Sequence, residues 1–167
     1  MKLAFDTSAL VSIETINLIS KVLKYFEILI SDTVKQELFE MAQYEDEHGR
    51  SAKRLHEMIE KNQIKIIDVK NFSQHLTAVD SGEASCLEIA LSEEADYLVT
   101  DDFNSFWYLS ERFKSTVFSI FLVKLLSDLG EITDEEGWGY VEKMREKRTW
   151  GNNVIYKKAK ELWKRRV

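Results

Sequence analysis

Five acidic side chains fall where strands are expected to end or helices to begin: Asp6, Glu37, Glu83, Asp101 and Asp102. Converging carboxylates are unfavourable alone, since two charges about 4 Å apart at an effective dielectric near 20 repel by roughly 4 kcal/mol. Such a set either takes up protons or holds a cation. Oxygen ligands without a Cys and His cluster favour Mg²⁺ or Mn²⁺ over zinc. His48, His56 and His75 do not have zinc spacing and are expected at the surface. A divalent ion held by carboxylates suits hydrolysis of a phosphodiester, because it lowers the pKa of water and stabilises charge on the phosphate oxygens. Each acid also has a plainer reading. Asp6 could serve only as a helix cap, Glu37 and Glu83 only as complements to a helix dipole, and the Asp101–Asp102 pair only as a turn. The set is more specific than its members, because all of them fall at the same end of one expected sheet. Glu40, Glu88, Glu93 and Glu94 are expected to be solvated.

The elements that position these acids follow from periodicity. Leu3 to Phe5 read as a buried parallel strand ending at Asp6, with Thr7 and Ser8 able to cap the helix that follows. Apolar residues at helical spacing from Ala9 to Phe26 predict a helical stretch. Glu27 to Ser31 reads as a second strand, and Asp32 or Thr33 as the cap of the next helix, with Gln36 and Glu37 near capping-box positions. Residues 43–50 are polar and predict a turn, and residues 51–61 a further helix. Ile64 to Asp68 gives a third strand. Asp80 and Ser81 can cap a helix running to about Glu93. Ala95 to Thr100 gives a fourth strand, ending at Asp101–Asp102. A short helix over 104–112, a short strand over 115–119 and a helix stopped by Gly130 follow. Strands alternating with helices predict an α/β fold, a three-layer α/β/α sandwich on a central parallel sheet of four or five strands with right-handed crossovers. Ligands of such sheets bind outside the carboxyl ends of the strands, which is where the acids lie. Residues 1–132 are expected to form this domain. Residues 133–167 read as a helical extension packed on it, two helices broken near Trp150 to Asn153, with Trp138, Trp150 and Trp163 as packing anchors.

Composition narrows the classes. The 167 residues suit one domain with a full core, and the absence of proline argues against a linker. Cys86 is the only cysteine, so thiol-pair redox chemistry is excluded. No apolar run is long enough to span a membrane, and no signal peptide is expected, so the chain reads as cytoplasmic. Net charge is −6, yet residues 142–167 carry ten Lys or Arg against three Glu. An acidic body with a basic tail suggests a cation-dependent site plus a surface for a polyanion, or simply a solvated helix face.

Four segments in order resemble the PIN domain, a metal-dependent nuclease fold: residues 4–10 (AFDTSAL), 30–38 (ISDTVKQEL), 80–85 (DSGEAS) and 98–102 (LVTDD). The resemblance covers about residues 1 to 130. The run from Lys124 to Ile132 is similar to a prokaryotic branch with extra C-terminal helices. The resemblance implies one or two Mg²⁺ or Mn²⁺ ions on Asp6, Glu37, Glu83, Asp101 and Asp102. The threonine-x-acid spacing favours Asp102 over Asp101, so the catalytic set is Asp6, Glu37, Glu83 and Asp102. Thr7, Ser8 and Thr100 are implied to support the site. Single-stranded RNA is the implied substrate. Many small prokaryotic members are toxins of toxin–antitoxin pairs, usually dimeric, so an antitoxin protein and a homodimer are the implied partners, and no membrane. The alternative is a catalytically silent PIN scaffold that binds RNA or protein. An aspartate-nucleophile phosphatase ranks lower, since it needs a second Asp at position 8, where this chain has Ser8. Members with a doubled Asp often carry a basic residue soon after it. Here residues 103–107 (FNSFW) follow, and the first Arg is Arg112.

Overall fold

Alternation along the strands sets the layers. In β1 (Lys2–Phe5), Leu3 and Phe5 point to one face and Ala4 to the other. In β2 (Glu27–Ser31), Ile28 and Ile30 oppose Leu29, and in β4 (Tyr97–Val99), Val99 opposes Leu98. All of these side chains are buried, as expected of a parallel sheet covered on both faces. The computed structural model describes residues 1–164. Arg165, Arg166 and Val167, the end of the expected basic extension, lie outside the described residues.

Five parallel strands form the sheet in the order β3-β2-β1-β4-β5, with β3 at Lys65–Ile67 and β5 at Thr116–Val117. β1 is therefore central, with β2 and β4 beside it. The chain runs outward from β1 to one edge and then returns to β1's other side with β4. That reversal puts a crevice beyond the carboxyl ends of β1 and β4.

Each face carries its own apolar core. On the Leu3 and Phe5 face pack α1 (Thr7–Thr15), α2 (Ile19–Tyr25), α3 (Asp32–Met41), α4 (Glu47–Glu60) and α7 (Ser119–Asp128). The same core takes in Val141 and Met144 of α8 (Asp134–Lys147) and Ile155 and Ala159 of α9 (Val154–Lys164). The C-terminal helices thus bury their apolar sides in the core of the sheet itself. Trp138 lies against Trp163 and Tyr156, while the Trp163 indole N–H donates to the Asp134 carbonyl at 3.0 Å. On the Ala4 face, α5 (Ser81–Ser92) and α6 (Phe103–Arg112) supply Cys86, Leu87, Ile89, Ala90 and Leu109.

Several local expectations are corrected. The stretch from Ala9 to Phe26 falls in two helices, because Asn17 turns the chain with φ 57°, a left-handed conformation that Asn tolerates. Asp6 itself caps α1, in place of Thr7 or Ser8, by accepting from the Ala9 N–H. Ser31, one residue earlier than expected, caps α3 through the Val34 N–H, and Glu37 forms no capping box. Asp46 caps α4, so the second half of the expected 43–50 turn is helix. His75 is buried rather than at the surface: its imidazole bonds the Tyr108 hydroxyl at 2.9 Å and the Glu88 carboxylate at 2.7 Å. Glu88 is accordingly half-buried, not solvated, and the contact ties a 3₁₀ turn at Ser73–His75 to α5 and α6.

Candidate functional site

Asp6 ends β1 and begins α1, which fixes its carboxylate between strand and helix. Oδ1 accepts from the Ala9 N–H at 2.9 Å, and Oδ2 accepts from the Thr100 hydroxyl at 2.5 Å. The Ser8 hydroxyl lies 2.9 Å from both oxygens. Asp6 is only 3% exposed. Burial raises its pKa to about 7, the Asp101 charge adds to that, and the bonds from Thr100, Ala9 and Ser8 act the other way.

Two helix starts bring the glutamates. Glu37, on the second turn of α3, accepts a short hydrogen bond from the Thr7 hydroxyl. Its pKa is raised, chiefly by burial, with the charges of Asp80 and Glu40 adding to the shift. Glu83 completes a capping box at the start of α5: its N–H donates to Asp80 Oδ1 at 2.9 Å, and its Oε2 accepts from the Asp80 N–H at 3.2 Å. Burial lifts the Glu83 carboxyl to about 7, helped by the charges of Asp80 and Asp102 and opposed by Ser105. Gly82 lets these elements meet. A Cβ there would stand 2.6 Å from Glu37 Oε1, so a bare helix backbone is what leaves room for that carboxylate.

The doubled aspartate divides. Asp102 caps α6, with Oδ1 accepting from Asn104 at 2.7 Å and Ser105 at 3.0 Å, and it borders the crevice. Asp101 turns the other way. Its carboxylate accepts from the Ser119 N–H at 2.9 Å and the Ser119 hydroxyl at 2.5 Å, pinning the start of α7. The structure therefore brings Asp6, Glu37, Glu83 and Asp102 together and does not bring the Asp101 carboxylate to them. Alternation explains the split, since adjacent residues leaving a strand point to opposite sides. Thr7, Ser8 and Thr100 all lie at the site and bond its acids or their backbone: Thr100 Oγ1 also accepts from the Asp102 N–H at 3.0 Å.

These groups line a cavity of about 220 Å³. Two further charged residues line it that the sequence does not assign to the site, Asp80 and Arg148. Asp80 was read as a helix cap, which it is, and its place in the DSGEAS segment is the signal that it also faces the site. Arg148 was read as part of a basic tail, and nothing in its spacing says that α8 ends over the cavity. Among the described residues, five carboxylates, from Asp6, Glu37, Asp80, Glu83 and Asp102, thus surround one space with hydroxyls and no imidazole or thiol. These are hard oxygen donors, and the raised pKa values of Asp6, Glu37 and Glu83 mark a site whose negative charge is uncompensated until a proton or cation arrives. Among the described residues, no three Asp, Glu, His or Cys side chains are gathered closely enough to enclose a metal ion. The donor types suit Mg²⁺, which is commonly held by one or two carboxylates and keeps several waters.

A family model described as a PIN domain matches residues 2–165. This chain belongs to the PIN domain family. No curated protein and no solved structure matches it. PIN domains are generally nucleases and typically use divalent metal ions. The family match runs through α8 and α9 as well as the sheet, so the helices that carry Arg148 lie within the matched span. Among the described residues, no helix is long and apolar enough to cross a membrane.

Proposed function

We propose that this PIN domain is a Mg²⁺- or Mn²⁺-dependent endoribonuclease that hydrolyses phosphodiester bonds of single-stranded RNA. The observation that carries the proposal is the convergence of Asp6, Glu37, Glu83 and Asp102 on one cavity at the reversal of the sheet. Of these four, one or two would hold the metal directly and the others through the water it keeps. When bound, the ion supplies activation of water and neutralisation of charge on the phosphate. The protein's own groups do the rest. Thr100 and Ser8 fix the orientation of Asp6, and Thr7 fixes Glu37. Asp6 and Glu83 keep protons up to about 7 in the metal-free chain, and those protons would leave as the ion binds.

Single-stranded RNA as substrate rests on the family resemblance. Incubation with labelled single-stranded RNA, duplex RNA and single-stranded DNA of one sequence tests it. Internal cuts confined to the single-stranded RNA support the reading, and equal cutting of DNA overturns the substrate assignment. The proposal extends to a toxin of a toxin–antitoxin pair, acting as a homodimer and held by an antitoxin protein, on the same resemblance. Expression in a bacterial host should slow growth, and Asp6→Asn should relieve that. A second reading, a catalytically silent scaffold binding RNA or protein, is favoured by the open spacing of the acids. It predicts that acid substitutions leave the partner bound.

A further inference from the structure

The five carboxylates around the cavity face one basic side chain among its described lining residues, Arg148. It comes from the end of α8, far from the doubled aspartate in sequence. Its placement is built. The Arg148 N–H closes α8 on the Met144 carbonyl, and Thr149 turns the chain away with φ 51°. The preceding Lys147 ties this end to α1 through the Thr15 carbonyl at 3.1 Å, and to α4 through an ion pair with Glu47. The guanidinium Nε is buried with no hydrogen-bond partner. A buried, charged donor without a partner is costly, and an anion drawn to the guanidinium would offset that cost. The Arg148 charge also acts on Asp101 behind the cavity, lowering a pKa that burial raises.

We propose that Arg148 is a catalytic residue that binds the scissile phosphate. This rests on the nuclease reading. A planar guanidinium matches the fork of two phosphate oxygens, which the acids of the cavity would repel. It supplies from α8 the cation that residues 103–107 after Asp102 lack. Val141 and Met144 bury α8 in the same core as β1, which holds the helix end that carries this charge.

The test compares the native chain with Arg148→Gln and Arg148→Lys by three readouts. The first is Mn²⁺ binding by calorimetry without RNA. The second is binding of a labelled single-stranded RNA oligonucleotide with Ca²⁺, and the third is kcat and KM for its cleavage with Mn²⁺. Removing a positive charge from an acidic cavity should tighten Mn²⁺ binding in Arg148→Gln, by about tenfold. RNA binding should weaken in the same variant, and kcat should fall by about 100-fold. Arg148→Lys should bind Mn²⁺ as the native chain does and recover part of the RNA affinity. The opposed movement of metal and RNA affinity is a signature that misfolding does not give. Unchanged RNA binding in Arg148→Gln, or metal and RNA affinity lost together in both variants, overturns the proposal. A native chain that cuts no RNA removes the nuclease reading, while the two binding readouts still decide the place of Arg148.

Discussion

The Thr100 hydroxyl donates to Asp6 Oδ2 at 2.5 Å, joining the ends of the two strands between which the sheet reverses. The same hydroxyl oxygen accepts from the Asp102 N–H, so one side chain sets both an acid and the start of the helix that carries another. Thr100→Val keeps the shape and removes the bond. It should lower stability by about 1–3 kcal/mol, since Asp6 is buried. It should also weaken Mn²⁺ binding by roughly tenfold or more, as lost supporting contacts do. Thr100→Ser should restore both. Thermal melts and metal titration of the two variants check this, and equal behaviour of Val and Ser would refute it.

Stability should depend on pH in a set direction. In the folded, metal-free chain Asp6 and Glu83 keep protons up to about 7, against 3.8 and 4.5 as ordinary values. The native state then binds more protons than the unfolded state, so stability falls as pH rises from about 4 to about 7. Melting in EDTA should show Tm declining between pH 5 and 8. Asp6→Asn should decline less and exceed the native chain at pH 8, by about 2–4 °C for each kcal/mol. Mn²⁺ at pH 8 should raise the native Tm, because binding to the folded state stabilises it. A native Tm that climbs with pH in EDTA would contradict the burial of these acids.

Gly82→Ala separates stability from the site. Alanine favours a helix by about 1 kcal/mol over glycine. Its Cβ would stand 2.6 Å from Glu37 Oε1, the movable end of a side chain, so the carboxylate swings away and the fold survives. The variant should melt at or above the native temperature yet bind Mn²⁺ roughly tenfold more weakly. Native metal affinity in this variant would remove Glu37 from the ligand set.

The doubled aspartate should show two distinct phenotypes. Asp101→Ala strips the buried Ser119 N–H of its acceptor and should cost about 1–3 kcal/mol. Asp102→Asn keeps a competent helix cap, so stability should hold while RNA cleavage drops. Parallel melts and cleavage assays distinguish them. Destabilisation by Asp102→Asn with cleavage retained would reverse the roles assigned here.

The fold was legible because strand periodicity and helix caps are local signals. The Leu3–Phe5 run, the EILIS strand and the DSGEAS helix start each announce themselves within a few residues. A parallel sheet of four or five strands then follows from the alternation of strands and helices, while the fifth strand and the central place of β1 come from the structure. Asp6, Glu83 and Asp102 were legible for the same reason, each sitting at an element's end, and Glu37 because it lies one turn inside the helix that follows β2. What stayed hidden depends on tertiary placement. Nothing local tells Asp101 from Asp102; the pleat at the end of β4 decides which faces the cavity. His75 looked like a surface residue in a polar loop, and only the packing of α5 and α6 buries it. Arg148 could not be placed because its neighbours in space are more than forty residues away in sequence, on other elements.

The most direct measurement is cleavage of a labelled single-stranded RNA by the native chain and by Asp6→Asn, each with Mg²⁺, Mn²⁺ or EDTA. Asp6→Asn keeps a helix cap and should fold, so a change in cutting reads the site and not the scaffold. The predicted result is internal cutting by the native chain with Mg²⁺ or Mn²⁺, none with EDTA, and loss in the variant. Cutting that persists in EDTA, or that Asp6→Asn retains with metal present, would contradict a carboxylate-held metal as the centre of this protein's chemistry.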